Sequence, residues 1–410
     1  MDPELDGPDP EAIQAVSDWL TEQVLLDADP ELLFTGFCRR LLDAGLPIFR
    51  VNLSLTALHP MFESLTFLWW RDGRREITRH EHGSSGNEDY RGSPQHHMMV
   101  HQETSLRRRL EGDNPVLDFP VLEEFREQGV TDYYTLLTAF GPFEEALARM
   151  DGIMMSWCTN RPGGFSDIEI RLIRRMQARF AVAAKLAKRE MTARNVVAAY
   201  FGADAGRRVL DGQISRGSGE NIHAVIWYSD LRNSTPMADS LPMDDFMAAL
   251  NAYFECSAGA VREHRGEVLR FVGDAVLAIF STKAFGSTEA AARVALGAAR
   301  DAFARLDAVN DERTAAGAPE LAFGLGLHVG DVLFGNIGIP ERLEFSVIGP
   351  AANEVARLEE LSKTVKRPVV VSNAFAALLD EACEELGEHT FRGVAEPQMV
   401  LAPPIPTTKS

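Results

Sequence analysis

Apolar residues recur at helical spacing along the first segment of the chain: Ile13, Val16, Leu20 and Val24, then Leu32, Leu33, Phe37, Leu41 and Leu42. Such positions share one face of a helix, so residues 11–46 read as helical, with Gly45 as the stop. Shorter apolar runs at 48–58 (IFRVNLSLTAL), 64–70 (SLTFLWW) and 152–159 (GIMMSWCT) read as strands. The turn signal Arg161-Pro162-Gly163-Gly164 closes the last of these. Ser166 then stands where it can cap a long helix over about 167–200, with Ile170, Ile173, Met176, Phe180 and Leu186 as its apolar positions. Residues 191–218 combine a helical stretch, glycines and the basic pair Arg207-Arg208, which predicts a transducing linker rather than a loose tether.

From 219 the pattern becomes an alternation of strands and helices. Residues 221–230 (NIHAVIWYSD) fit a buried strand, and a helix opens near Pro242 with Phe246, Leu250, Phe254 and Val261 as its expected buried stripe and Gly266 as its stop. Two strands, 267–272 and 275–280, are separated only by Gly273-Asp274. A helix from Ser287 to about Asn310, a strand pair at 321–335 and 342–348, a helix at 351–363 and a strand-helix-strand tail complete the chain. Strand, helix, two strands, helix, strand is the ferredoxin-like order, so the expected class is α+β, an α/β sandwich whose sheet carries its helices on one face. The expected organisation is a regulatory domain at 1–190, the linker at 191–218 and a catalytic domain at 219–405.

Composition narrows the function classes. The 410 residues allow two or three domains, and 45% hydrophobic with 25% charged residues is ordinary for a globular chain. A net charge of −19 disfavours nucleic acid as a partner and would repel acidic lipids, yet leaves room for a small anionic substrate held by metal ions. No apolar run approaches a membrane span and the amino terminus is acidic, so the expectation is a cytoplasmic protein without a membrane partner. Cys38, Cys158, Cys256 and Cys383 stand singly, as reduced thiols do.

Two aspartates sit where strands end at turns. Asp230 closes the 221–230 strand, and Asp274 stands at the tip of the 267–280 hairpin. Paired on one sheet edge, two carboxylates suit a hard cation such as Mg2+ that also keeps substrate phosphates as ligands. Taken singly, each is better explained as a loop cap or a turn residue. In GPAANEVARLEE, Asn353 and Arg357 lie one helical turn apart and face the same way, either as an exposed helix face or as a pair able to grip an oxygen gaining charge.

With AVIWYSDLRNST (224–235), GEVLRFVGDAVLAIF (266–280), GLHVGDVLFGNIG (326–338), FSVIGPAANEVARLEE (345–360) and FRGVAEP (391–397), the chain resembles the class III nucleotidyl cyclases in motif order and spacing. Gly324, Gly326 and Gly330 lie within a strand pattern and are no dinucleotide fingerprint. The resemblance implies Asp230 and Asp274 as ligands of two Mg2+ or Mn2+ ions, with the Leu231 carbonyl as a further ligand. It implies that the amides of Leu231, Arg232, Asn233, Ser234 and Thr235 cradle the triphosphate. Asn353 would orient the ribose, Arg357 would neutralise the α-phosphate, and Arg392 would stand near the terminal phosphates. The implied reaction is in-line attack of the ribose 3′-hydroxyl on the α-phosphate with departure of pyrophosphate.

At the positions where the family reads the base stand Arg270 and Ser346, where adenine readers are a Lys with an Asp or small hydroxyl residue and guanine readers a Glu with a Cys. Arg is a donor for the adenine ring nitrogens, and a serine hydroxyl can accept from the exocyclic amine, so the expected substrate is ATP. A guanylate cyclase and a catalytically silent cyclase-fold module are the alternatives; a cyclic-dinucleotide enzyme is not favoured, because Val272-Gly273-Asp274-Ala275 lacks a GGDEF-like turn. Arg232-Asn233-Ser234 depart from the small apolar residue, Gly and Phe usual in the family. Because the metal aspartates and the Asn/Arg pair of one family site come from different domains, a single catalytic domain implies a homodimer with two interface sites.

The amino-terminal half, strands leading into the "GGFSDIEIRLIRR" helix, resembles a GAF-type sensory module whose signal is unknown. His80, His82, His96, His97 and His101 are expected on a solvated loop. Trp69-Trp70 is expected to place one ring in the core and one partly outside it, and Arg107-Arg108-Arg109 to form a solvated helix end.

Overall fold

Side-chain caps start the first helices: Asp9 accepts from the Glu11 amide and Asp29 from those of Glu31 and Leu32, each with a proline at the first helical position. The computed structural model describes residues 7–405 apart from 27–28, 57–58, 60, 84–87, 149–150, 216, 340 and 392–396. The chain divides into two compact units, residues 1–196 and 197–410.

The first unit contains α1 (Pro10–Leu25), α2 (Pro30–Asp43), β1 (Arg50–Thr56), β2 (Phe62–Trp70), β3 (Arg75–Glu81), α3 (Glu88–Arg91), α4 (Pro94–Val100), β4 (Ser105–Arg109), α5 (Pro120–Glu127), β5 (Asp132–Ala139), α6 (Phe143–Ala148), β6 (Gly152–Thr159) and most of α7 (Asp167–Phe201). Its six strands pair antiparallel in the order β3-β2-β1-β6-β5-β4. Alternate residues face opposite cores: Val51, Leu53 and Trp157 pack with Phe34, Phe37 and Phe180 of α2 and α7, whereas Tyr133 and Cys158 meet Met98, Leu122 and Phe125 of α4 and α5. The capping box at Ser166 is formed, with Ser166 Oγ accepting from the Glu169 amide (3.3 Å) and Glu169 Oε2 from the Ser166 amide (2.7 Å).

Three expectations for this unit are corrected. Arg107–Arg109 lie on β4, where Arg107 pairs with the fully buried Asp132 and Arg108 with Asp118, so antiparallel pairing rather than a helix presents these guanidiniums. Both Trp69 and Trp70 are buried, with the guanidinium of Arg74 stacked 4.1 Å from the Trp70 ring. Of the histidines, His80 belongs to β3 and bonds Thr66 Oγ1, and His96 and His97 belong to α4; they are not on a loop.

The second unit, beyond the last turn of α7, contains α8 (Ala203–Leu210), β7 (Gly219–Leu231), α9 (Ser234–Ser240), α10 (Met243–Glu263), β8 (Glu267–Val272), β9 (Ala275–Ser281), α11 (Thr282–Phe285), α12 (Thr288–Ala315), β10 (Phe323–Ile339), β11 (Arg342–Ile348), α13 (Pro350–Val365), β12 (Val369–Ser372), α14 (Asn373–Ala376), β13 (Glu384–His389) and β14 (Gln398–Ala402). The sheet order is β13-β14-β12-β10-β7-β9-β8, with β11 paired to β10. Mixed α+β architecture is therefore as expected.

The helices are not confined to one face. Val225 and Trp227 of β7 pack with α10 and α12, while Ala224 and Ile226 face the other way, onto Ala351 and Val355 of α13 and Ala205 of α8. The buried stripe of α10 is Ala249, Tyr253, Cys256, Ala260 and Val261, rotated from the expected one, because small residues let the helix approach α12 while Phe246 and Phe254 stay half-buried at its flank. What seats α13 is the glycine series of β10. A Cβ on Gly326 would lie 2.4 Å from the Val355 carbonyl oxygen, one on Gly330 2.7 Å from Ala351 Cβ, and one on Gly324 2.5 Å from Glu359 Oε1. Spaced by two along a strand, these glycines open one face of the sheet to a helix backbone.

Candidate active site

A buried polar knot fixes the end of β7. Ser229 Oγ lies 2.8 Å from Tyr253 Oη and 2.7 Å from Ser257 Oγ of α10, and accepts from Trp227 Nε1 at 3.2 Å. Since side chains alternate, anchoring Ser229 into the α10 face turns its neighbour Asp230 to the α13 face. The register pairs Asp230 with Ala275, and the Leu231 amide donates to the Asp274 carbonyl at 3.3 Å, so the hairpin tip lies beside the end of β7. The structure thus brings Asp230 and Asp274 together. Burial, reinforced by the negative charge of Asp274, raises the Asp230 carboxyl above the usual range against the opposing pull of Lys363.

Lys363 of α13, which the sequence reading did not single out, reaches this carboxylate, and Glu359, likewise not singled out, lies behind it. Lys363 Nζ lies 3.0 Å from Asp230 Oδ2 and 3.9 Å from Glu359 Oε2. Glu359 is buried and pairs with Arg232 Nη1 at 2.9 Å, while Arg232 Nη2 donates to Ser362 Oγ. Burial, partly offset by Arg232 and then Lys363, pushes the Glu359 carboxyl up to about 7. The signal available in the sequence was the i, i+4 spacing of Glu359 and Lys363 following Arg357.

Of the five amides expected to cradle the triphosphate, two already have hydrogen-bond partners within the chain. The Leu231 amide is engaged with Asp274, and the Arg232 amide donates to the Ala322 carbonyl at 2.7 Å. Asn233, Ser234 and Thr235 open α9, with Asn233 in the left-handed region at φ 57°. Asn tolerates that conformation better than other non-glycine residues, which accounts for its standing where the family usually has Gly.

Asn353 is exposed and Arg357 half-buried on α13, and among the described residues neither makes a hydrogen bond or ion pair with Asp230 or Asp274. The structure does not join these two pairs within one chain. Arg270 on β8 and Ser346 on β11 are linked through a residue the sequence reading missed: Arg270 Nη1 lies 3.0 Å from Oε1 of Glu344, which precedes Ser346 by two and so shares its side of β11. Ser346 is 2% exposed and, among the described residues, its hydroxyl has no hydrogen-bond partner. Arg392 lies outside the described residues.

The donor set fits Mg2+ or Mn2+ completed by water and phosphate better than an all-protein metal cage. It offers two adjacent carboxylates, one desolvated, and among the described residues there is no group of three or more His, Cys, Asp or Glu placed to hold a metal. No described helix is long and apolar enough to cross a membrane.

Residues 219–401 match the family described as the adenylate and guanylate cyclase catalytic domain. Similar curated proteins include two uncharacterized proteins of Mycobacterium tuberculosis, one 36% identical over 219 residues, covering 51% of this chain and 38% of that protein, the other 32% identical over 210 residues, covering 50% and 37%. The chain thus spans well under half the length of these relatives. Similar solved structures include the guanylyl cyclase Cya2 (26% identity, TM-score 0.39, 45% of this chain and 92% of that one) and the adenylyl cyclase CyaB from P. aeruginosa (21%, 0.41, 45% and 94%). Residues 219–401, somewhat under half of the chain, are thus similar to the adenylate and guanylate cyclase catalytic domain.

Proposed function

We propose that this chain converts ATP to 3′,5′-cyclic AMP and pyrophosphate at two composite sites of a homodimer. The observation that carries the reading is the meeting of Asp230 and Asp274 at one end of the sheet of a cyclase-like domain, while Asn353 and Arg357 touch neither within the chain. Bound there, two Mg2+ or Mn2+ ions supply Lewis-acid activation of the ribose hydroxyl and charge neutralisation on the phosphates. Asp230 and Asp274 provide the carboxylates, and the amides of Asn233 to Thr235 donate to the triphosphate. Asn353 orients the ribose and Arg357 balances charge gathering on the α-phosphate, both from the second protomer. Catalysis by positioning and electrostatics needs no protein general base.

ATP is favoured over GTP because Arg270 offers only donors and the buried Ser346 hydroxyl has a free acceptor for the exocyclic amine. One observation favours a guanylate cyclase as the second reading: Glu344, an acceptor-only carboxylate, shares the side of β11 that carries Ser346. Turnover of ATP and GTP by the full chain with Mn2+ decides between them. Faster turnover of GTP overturns the adenylate reading, and no turnover of either favours a silent module.

The first unit is proposed as a GAF-like sensory domain acting on the catalytic unit through residues 191–218. Its six-stranded antiparallel sheet, with α2 and α7 on one face and α4 and α5 on the other, supports that reading. Truncation to 216–410 should alter the rate or the oligomeric state; if neither changes, regulation by this unit has no basis.

A further inference from the structure

Lys363 sits between two acidic partners. Its ammonium is 3.0 Å from Asp230 Oδ2 and 3.9 Å from Glu359 Oε2, and its side chain is 48% exposed. The two acceptors differ in what else they can bind. Asp230 faces the open end of the sheet beside Asp274, whereas Glu359 is buried under α13 against Arg232 and has no such access. A four-carbon side chain with rotatable bonds covers the distance between them by changing rotamer.

We propose that Lys363 is a two-position counter-cation that occupies the Asp230 carboxylate when no metal is present and transfers to Glu359 when a divalent cation takes Asp230. This inference rests on the reading of Asp230 and Asp274 as the metal carboxylates. Its physical basis is that a desolvated carboxylate beside a second negative charge requires a cation. A tethered ammonium supplies one at no translational cost, and a dication must displace it or bind against its repulsion. Glu359 lowers the cost of displacement, because the ammonium moves from one carboxylate to another rather than into water. Lys363 is thereby a positioning residue that sets the metal concentration at which the site fills. It also links metal occupancy to Arg232, whose guanidinium shares the Glu359 carboxylate and whose backbone leads into the Asn233–Thr235 turn.

The test measures binding of Mn2+ alone to the full chain, without nucleotide, by electron paramagnetic resonance of the free ion. Lys363→Gln should tighten Mn2+ binding about two- to five-fold, the range set by a half-exposed ion pair. Glu359→Gln, which removes the second position, should weaken it. Lys363→Arg should stay near wild type. Lys366→Gln removes the same charge three residues on, at the exposed end of α13, and should leave binding unchanged. Equal affinity of the wild type and Lys363→Gln overturns the proposal, as does an equal gain from Lys366→Gln, which would reduce the effect to net charge. Asp274→Asn separates this inference from the reading beneath it. If the wild type binds Mn2+ and Asp274→Asn does not, while Lys363→Gln matches the wild type, only the two-position ammonium fails. If Asp274→Asn binds like the wild type, or no variant binds, the metal reading falls and the inference with it.

Discussion

Arg270 and Glu344 form an ion pair of 3.0 Å between β8 and β11, two strands that are not neighbours in the sheet path. The pair holds the guanidinium over the strand that carries Ser346. Without the carboxylate, Arg270 is a long, half-exposed side chain with many rotamers. Glu344→Gln should therefore lower kcat/KM for ATP about two- to five-fold, the worth of an exposed ion pair, and narrow the ATP-to-GTP ratio. Steady-state kinetics with both nucleotides provides the check, and an unchanged ratio would show that Arg270 does not need Glu344 to select the base.

Mixing two inactive proteins tests the composite site. Asp230→Ala and Arg357→Ala each lack one contribution, and a heterodimer of the two holds one intact site and one doubly impaired site. At equal concentrations and random pairing, half the dimers are mixed and each keeps one of two sites, so activity should recover to about one quarter of wild type. No recovery on mixing, despite dimers seen by light scattering, would place both sets of residues in one protomer.

The glycines of β10 should be intolerant of any side chain. Gly326→Ala sets a Cβ 2.4 Å from the Val355 carbonyl oxygen, backbone that cannot rotate away, so α13 must lift from the sheet. A loss of about 2 kcal/mol is expected, measured by urea unfolding of the catalytic transition. Because α13 carries Asn353, Arg357 and Lys363, activity should fall further than stability alone explains.

A pH dependence of stability is expected from Glu267 at the start of β8. Burial raises its carboxyl to about 7, with Asp204 adding to the rise and the Ala205 amide, Arg208 and Arg207 opposing it, and its Oε1 is buried without a hydrogen-bond partner among the described residues. The folded pKa lies above the unfolded value, so the contribution is fully present below about pH 4.5 and disappears as pH rises through 7. Glu267→Gln should flatten that slope and leave the protein about 1–2 kcal/mol more stable than wild type at pH 8, after discounting for partial exposure. Denaturation at pH 5 and pH 8 measures both, and parallel losses in the two proteins would assign the slope to another group.

Much of the fold was legible along the chain. Apolar runs closed by turn residues marked β6, β8 and β9, and period-3.6 spacing marked α7 and α12, because a central strand such as β6 or β9 is buried on both sides while a helix buries one face. Asp230 and Asp274 could be placed at strand ends for the same reason, since turn residues punctuate the pattern on either side of them. The stripe of α10 was misplaced because helix approach there is set by Ala249 and Ala260, whose small size carries little hydrophobic signal. Arg107 was misread because a basic run looks solvated until a buried carboxylate, Asp132, is brought to it from 25 residues away.

The sequence by itself determined most of the order of elements beyond residue 219 and the strand-end positions of Asp230 and Asp274, since both are written in local spacing. Only the tertiary structure decided that α13 lies on the face opposite α10 and α12, that Gly324, Gly326 and Gly330 are its seat, and that Glu344, Glu359 and Lys363 surround the candidate residues. The reason is distance along the chain. Lys363 meets Asp230 across 133 residues and Arg270 meets Glu344 across 74, and no periodic pattern encodes which charges a sheet and a helix will bring together.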